Sequence, residues 1–238
     1  MTANIIQALR QFLTESVDPQ TLKITERFFK PGEEAKTYGI RMKEVSKIAK
    51  YFSKEVRTKP KAEVFELCEQ LWLSGYMEEA VIACDWAYAQ RENYESADFE
   101  VFEHWLSNYV DNWASCDTLC NHTIGTFVKL YPQYIDNLKT WTQSDNRWVK
   151  RGAAASLIIP VRKGLFLTDI FEIATALLRD SDHMVQKGYG WMLKAASESH
   201  CKAVFDFVVK HKAIMPRMAL RYAIEKMPED LKAKAMKK

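Results

Sequence analysis

The chain has 238 residues, of which 47% are hydrophobic, 27% are charged, 8 are Gly and 7 are Pro, and its formal net charge is +3. This composition can bury one sizeable core, and it excludes long disordered or low-complexity regions. No stretch approaches the roughly 18 consecutive apolar residues of a membrane span. We therefore expect one folded domain over residues 1–238, without association with a membrane.

Helical periodicity runs through nearly the whole chain, and no segment shows the alternation of a β-strand. The first helix, around 5–13, stops before Asp18-Pro19. The later helices are predicted at 20–30, about 41–54, 76–91, 97–110, 115–130, 132–142, 166–179, 183–199, 201–211 and 216–226, with one more opened by Lys59-Pro60. We expect Pro160 to end a helix that begins near Asn146, and the lysine-rich tail beyond 226 to fray.

Two segments resemble copies of each other. Residues 144–151 (SDNRWVKR) and 181–188 (SDHMVQKG) align without gaps at a separation of 37 residues. Paired helices at this period predict an all-α fold of the HEAT-like solenoid type, an α-α superhelix whose stacked helix pairs form a concave inner surface. Asp145 and Asp182 each precede a helix, so we predict that they are helix caps rather than catalytic groups.

Positive charge is concentrated in the carboxy-terminal part of the chain. Residues 147–238 contain 18 Lys and Arg against 9 Asp and Glu, a net charge of +9, whereas the remainder carries −6. Such asymmetry indicates either a polyanionic partner, usually nucleic acid, or a solvated basic surface without a partner. In a solenoid, the first alternative corresponds to a basic concave face.

The stretch 112–117, NWASCD, closes one helical hairpin and opens the next helix. Trp113 and Asp117 are four residues apart, so in a helix an aromatic plate and a carboxylate share one face. Such a pair suits a cationic, planar target, because an aromatic face attracts a cation and a carboxylate stabilises developing positive charge. The alternative is structural, with Trp113 as core filler and Asp117 as a helix-start residue attracted by the helix dipole.

The cysteines indicate reduced thiols, because the chain has five of them, an odd number, and is large enough to fold without covalent staples. Cys116 and Cys120 lie beside His122, but no second Cys or His cluster lies nearby in sequence. We therefore expect buried thiols rather than a zinc site, and no metal. The amino terminus lacks a basic region followed by an apolar run, so we expect a cytoplasmic chain. Nothing in the sequence suggests an obligate interface, so we expect a monomer.

The second copy contains a stripe of possible nucleic-acid contacts. Lys187, Trp191 and Lys194 lie at i, i+4 and i+7, which places basic, aromatic and basic side chains on one helical face. Gly188 and Gly190 each cost a helix about 1 kcal/mol relative to Ala. A close approach by a neighbouring helix or by a ligand would justify that cost.

In the first copy, Arg147 and Arg151 share a helical face beside the small-residue run 152–156. The basic residues of both copies are either nucleic-acid contacts or solvated surface, and Trp191 lies either on the binding face or in the core.

Taken together, three motifs resemble the bacterial AlkD-type DNA alkylation repair glycosylases. They are NWASCD with Trp113 and Asp117, SDNRWVKR with Arg151, and QKGYGWMLK with Trp191 and Lys194. The likeness extends along almost the whole chain, from the helix containing Arg27-Phe28 and the YGI sequence at 38–40 to the tail. Three motifs in this order, in an all-helical repeat chain of this length, are more specific than any one of them alone.

The resemblance implies a curved stack of HEAT-like helix pairs that holds duplex DNA in its basic concave face. Members of this family remove purines alkylated at N3 or N7 and leave an abasic site, with no metal or cofactor. By this likeness Asp117 is the catalytic carboxylate, and Trp113 and Trp191 are the aromatic walls that contact the backbone around the lesion. We therefore expect a base-excision repair enzyme that acts on duplex DNA containing alkylated bases.

The same resemblance assigns further DNA contacts. Arg151 corresponds to a contact with the DNA backbone, Lys194 matches a position at which the family has a basic residue, and Phe28 falls where the family carries a tyrosine that faces the same cleft. Lys187 and Arg147 are predicted to bind DNA as members of the basic faces described above.

The sequence departs from the family at a few of these positions. Asn112 and Ala114 stand where members often have a second tryptophan and an acidic residue, and Phe28 lacks a hydroxyl. Lesion preference and backbone hydrogen bonding therefore stay open. Some relatives with this fold lack the catalytic carboxylate, and Asp117 argues against placing this chain with them.

Two other functions are compatible with the same residues. A non-catalytic protein could use the basic concavity to bind branched or bent DNA. A protein-interaction scaffold is also compatible with a helical solenoid, because such folds commonly bind peptides along their concave surface.

Overall fold

The computed structural model describes residues 2–29 and 35–237, and within these ranges it is all-α. The described part of the chain contains no β-strand, only an isolated bridge between Lys36 and Tyr76. The predicted all-α fold class is confirmed. The chain divides into two compact units, Met1–Leu119 and Cys120–Lys238, which we call unit 1 and unit 2.

Unit 1 is built from seven α-helices among its described residues. They are α1 Thr2–Glu15, α2 Pro19–Glu26, α3 Met42–Val56, α4 Lys61–Trp72, α5 Met77–Ala89, α6 Asp98–Asn108 and α7 Trp113–Thr118. Helix α5 packs against α3, α4 and α7, and α1 packs against α3 and α4. The core between them is largely aromatic and aliphatic, with Trp86, Trp105 and Phe102 almost completely buried.

Unit 2 continues from a π-helical segment, Leu119–Ile124, in which the boundary between the units falls. Its α-helices are α8 Gly125–Leu130, α9 Ile135–Trp141, α10 Arg147–Ala155, α11 Ile158–Arg162, α12 Leu167–Leu177, α13 His183–His211, α14 Arg217–Ile224 and α15 Glu229–Met236. Helix α13 is the centre of this unit, because α10, α11, α12 and α14 all pack against it.

Most predicted helices are present, with differences at Pro160 and in the tail. Pro160 lies inside α11, and the helix that starts near Asn146 already ends at Ala155, so the expectation that Pro160 ends it is wrong. The tail does not fray at 226, because α15 forms there and buries Ala235. The predicted separation of 183–199 from 201–211 is confirmed as a kink, since His200 has non-helical φ and ψ inside α13.

Neighbouring residues pack closely against α13 at both of its glycines, as the low helix propensity of glycine suggested. A Cβ atom at Gly190 would lie 2.8 Å from Cβ of Tyr222 and 2.9 Å from the carbonyl oxygen of Ala219 on α14. A Cβ atom at Gly188 would lie 3.2 Å from Cγ of Arg151. A neighbouring helix therefore requires glycine at 190, whereas a side chain crosses the helix at 188.

Replacing Gly190 with Ala is expected to lower the free energy of unfolding by about 1–3 kcal/mol, because two helix backbones must separate to admit the methyl group. Gly188→Ala is the matched control in the same helix. There the nearest atom, Cγ of Arg151, is 3.2 Å away and has to move by only a few tenths of an ångström, and the gain in helix propensity of about 1 kcal/mol offsets the contact. Urea unfolding of both variants measures the difference, and equal stability would contradict this explanation of Gly190.

Two fully buried carboxylates in the first turn of α5 hold the segment that precedes α3. Glu78 accepts hydrogen bonds from Thr37 Oγ1 at 2.7 Å and from the backbone amides of residues 38, 39 and 40 at 3.0–3.2 Å. Glu79 binds Arg10, with a shortest N–O distance of 2.9 Å, and accepts a bond from Tyr38 Oη at 2.8 Å. Burial and this hydrogen bond raise the pKa of Tyr38 well above its usual value.

Within the described residues, every helix is too short or too polar to cross a lipid bilayer.

Candidate functional site

The start of α7 is fixed by Asn112. Its side-chain oxygen accepts a hydrogen bond from the amide of Ser115 at 2.9 Å, and its backbone is extended at φ −143° and ψ 162°, which is the geometry of a helix N-cap. Asn112 is only 2% exposed. The residue that departs from the family pattern therefore has a structural role in this chain, and the helix start does not need Asp117.

Trp113 and Asp117 lie on the side of α7 that is not packed into the core. Ser115 and Cys116 are buried, whereas Trp113 and Asp117 are both half-buried. Asp117 is the fifth residue of α7, beyond the first turn in which the helix dipole stabilises a carboxylate appreciably. Both side chains are therefore accessible to a ligand, as the functional interpretation requires.

The aromatic ring beside Trp113 belongs to Phe29, a residue that the sequence did not single out. The two ring centroids are 6.1 Å apart and the rings are tilted by 33°. Phe28, the predicted DNA contact, is 66% exposed. Both residues lie beyond the end of α2 at Glu26. Helical spacing therefore could not show which of the two contacts Trp113.

The starts of α10 and α13 show which residues cap them. Asn146 and Asp182 each accept a hydrogen bond from the amide two residues further on, at 2.8 and 2.7 Å. The prediction that Asp182 is a cap is confirmed, whereas the prediction for Asp145 is wrong, because Asn146 caps α10 and Asp145 is exposed. The two helix starts are thus 36 residues apart, so Lys187 rather than Gly188 corresponds to Arg151.

Two of the predicted DNA-binding cations of unit 2 form ion pairs. Arg147 binds the cap residue Asp182 through two N–O contacts of 3.0 and 3.2 Å. Lys194 lies 3.0 Å from a carboxylate oxygen of Glu225 and 5.5 Å from the ring centroid of Tyr222. Both carboxylates lie more than 30 residues from their cations in sequence, so the motifs alone could not indicate that these charges are compensated.

Arg151 lies largely inside unit 2. It is only 5% exposed, and its Nη1 donates to the carbonyl oxygen of Met184 in the first turn of α13 at 2.7 Å. Its aliphatic carbons lie against Gly188. The side chain therefore joins α10 to α13, and a phosphate can reach only the part of the guanidinium that this packing leaves open.

Lys187 and Trp191 form the more open part of the predicted stripe on α13. Both are half-buried, as is Lys194, while Tyr189, Gly190 and Met192 between them are buried. Among the residues that the structure describes, Lys187 has no hydrogen-bond or ion-pair partner, so its charge is available to an anion. The periodicity thus placed these three residues correctly on one face of the helix.

The predicted site residues fall into two groups. Trp113, Asp117 and Phe28 belong to unit 1, with Trp113 and Phe29 in contact there. Unit 2 contains Arg147, Arg151, Lys187, Trp191 and Lys194, all on the neighbouring helices α10 and α13. Cys116 and Cys120 are completely buried, which agrees with their interpretation as small apolar residues.

Comparison with known proteins gives one family and one fold. Residues 9–227 match the sequence model of a family described as DNA alkylation repair enzyme. The chain is also similar to a solved structure described as a predicted DNA alkylation repair enzyme from Enterococcus faecalis, with a TM-score of 0.77 and 17% sequence identity, over 90% of this chain and 98% of that one. No curated protein matches the chain significantly.

Proposed function

The chain belongs to the DNA alkylation repair enzyme family, and from this premise we propose that it is a DNA glycosylase for purines alkylated at N3 or N7 in duplex DNA. Membership itself supports a role in the repair of alkylated DNA. The observation that carries the finer proposal is the pair Trp113 and Asp117 on the partly open face of α7. An aromatic ring and a carboxylate on one face suit a substrate that is cationic before and during the reaction.

The chemistry follows from the charge of the lesion. Alkylation at N3 or N7 gives the purine a formal positive charge, so the base leaves readily when the bond between C1′ and N9 breaks and the electron pair passes to N9. Positive charge then develops on the deoxyribose. Asp117 would stabilise this oxocarbenium-like sugar and orient the water that attacks C1′, as carboxylates do in sugar hydrolases, and the water proton passes to solvent.

The aromatic residues are proposed to select damage by charge. Trp113, supported by Phe29 at 6.1 Å, would present an indole face that prefers a cationic nucleotide to a neutral one. We propose Trp191 as a second aromatic contact to the DNA around the lesion. The reaction needs water and no cofactor in this proposal.

The cations of unit 2 are proposed to bind the phosphate backbone without regard to sequence. Lys187 is the best placed of them, because it has no competing partner among the described residues. Arg147 and Lys194 would have to share their charges with Asp182 and Glu225. Arg151 would act mainly by holding α10 against α13, and the exposed part of its guanidinium would contact a phosphate.

The proposal is tested by incubating the full chain with duplex DNA that carries 7-methylguanine and separating free base from DNA by chromatography. We expect release of free 7-methylguanine and the appearance of an alkali-labile abasic site, with no release of guanine from undamaged duplex. Salt-dependent DNA binding without any base release would instead identify a non-catalytic DNA-binding protein.

A further inference from the structure

A groove between α3 and α5 of unit 1 carries cations that the site described above does not use. Its volume is about 280 Å³. Ala49 of α3 and Trp86 of α5 are buried at its base, where Trp86 Nε1 donates to the carbonyl oxygen of Ala49 at 3.2 Å. The hydrogen bond joins the two helices, so the groove is a fixed feature of unit 1.

One wall of the groove is a row of hydrogen-bond donors along α3. Ser46, Lys50, Ser53 and Arg57 line it at i, i+4, i+7 and i+11, and they form one face of the helix; we call these four residues the donor stripe. The stripe is about 16 Å long at 1.5 Å per residue. Ser46, Lys50 and Arg57 are exposed, whereas Ser53 is buried. Neither Lys50 nor Arg57 has a hydrogen-bond or ion-pair partner for its charge among the residues that the structure describes.

The opposite wall adds a third cation. The guanidinium carbon of Arg91 lies 4.8 Å from the ring centroid of Tyr88, and its Nη1 donates to the carbonyl oxygen of the same residue at 3.3 Å. Asp85 also lines the groove. Arg91 also lies 3.5 Å from a carboxylate oxygen of the exposed Glu92. The described lining residues still include three cations and one carboxylate, so the charge of the groove favours anions although the amino-terminal part of the chain is acidic overall.

The part of α5 that is not buried lines the groove. The residues of α5 that are not buried, Val81, Asp85, Tyr88 and Ala89, form a single stripe, and three of them line the groove. Helix α7, which carries Asp117, also packs against α5. The groove and α7 are therefore both neighbours of the same helix of unit 1.

We infer that the donor stripe and Arg91 bind backbone phosphates of the DNA duplex, which gives unit 1 a phosphate-binding surface of its own. The inference deepens the proposed function, since it rests on DNA as the partner. Lysine, arginine and serine side chains are the usual donors to phosphate oxygens, and their regular spacing along one helix fits a ligand whose charges also repeat regularly. A single small anion would contact donors from only one helical turn of the stripe, whereas the phosphates of a duplex can contact several turns.

The test is the double variant Lys50→Gln/Arg57→Gln, with binding to an undamaged 20-base-pair duplex measured by fluorescence anisotropy at several salt concentrations. Each lost phosphate contact lowers the slope of log K against log salt by about 1, so we expect a decrease of about 2. The affinity at 0.1 M salt should fall roughly 10- to 100-fold, because each contact releases about 0.9 counterions. Circular dichroism confirms that the variant is folded.

Lys202→Gln/Lys234→Gln is the matched control. These lysines have 86% and 62% exposed side chains in surface ion pairs of unit 2, and their replacement changes the net charge equally. An unchanged slope in the groove variant, or an equal change in the control, would overturn the inference, the second outcome because it reflects overall charge alone. An undamaged duplex has no base to release, so this result does not depend on whether the chain is a glycosylase.

Discussion

Replacing Asp117 with Asn is expected to lower the rate of 7-methylguanine release from duplex DNA by roughly 10²- to 10³-fold, the usual loss when one preorganised electrostatic group is removed from an active site. The amide keeps the shape of the side chain but loses the negative charge that would stabilise the sugar cation. Single-turnover kinetics with enzyme in excess measures this step directly, because neither substrate binding nor product release then limits the rate.

The cap of α7 and its attachment to the core are provided by residues other than Asp117. Asn112 caps this helix, and the buried residues Ser115 and Cys116 anchor it in the core. We therefore expect Asp117→Asn to remain folded and to bind the same DNA, and thermal unfolding and fluorescence anisotropy check this separately from base release.

A matched control is Asp111→Asn, which removes the same charge from an exposed position just before α7. Asn at 111 can still accept the hydrogen bond that Asn112 Nδ2 donates to Oδ1, which is 2.7 Å long. It should leave base release within about twofold of wild type. Full activity in Asp117→Asn would remove this carboxylate from the mechanism, and an equal loss in both variants would assign the effect to the local field rather than to Asp117.

Residue spacing predicted correctly which side chains share a face within a single helix. Trp113 and Asp117 share a face of α7, and Lys187, Trp191 and Lys194 share a face of α13, because four-residue and three-residue steps fix those relations in any helix. Asp182 could be predicted as a cap because Asp is preferred at the residue before a helix. The ungapped copy alignment failed by one residue at Asn146, since Asp and Asn are almost equally good caps and the sequence contains both in succession.

Contacts between distant segments could not be predicted. Nothing near Arg147 or Lys194 in sequence indicates that Asp182 and Glu225 compensate their charges. The net charge of the carboxy-terminal part therefore overstates how many cations are open to a phosphate. The donor stripe of α3 could not be predicted either. The amino-terminal part has a net negative charge, and this average conceals a helix face on which Lys50 and Arg57 have no partners among the described residues.

The loss of one acceptor at Glu78 is expected to be the largest single effect on stability. Glu78→Gln replaces a carboxylate oxygen by an NH2 group, so at least one backbone N–H among residues 38–40 then faces another donor. Hydrogen bonds to charged groups contribute about 1.5–3 kcal/mol each, and an unsatisfied buried donor costs a similar amount. We expect the free energy of unfolding to fall by about 2–3 kcal/mol and the melting temperature by about 5–10 °C.

The reason for so large a loss is that this carboxylate is the attachment point of a segment with no regular structure of its own. Gly39 adopts φ +79° there, and a Cβ atom would lie 2.6 Å from Cβ of Leu22 on α2, so the segment cannot shift towards α2. Glu92→Gln is the control, since its side chain is 83% exposed, and it should change stability by less than about 0.5 kcal/mol. Differential scanning calorimetry of the two variants decides the matter, because equal melting temperatures would mean that packing against α2, rather than Glu78, holds residues 37–40 on α5.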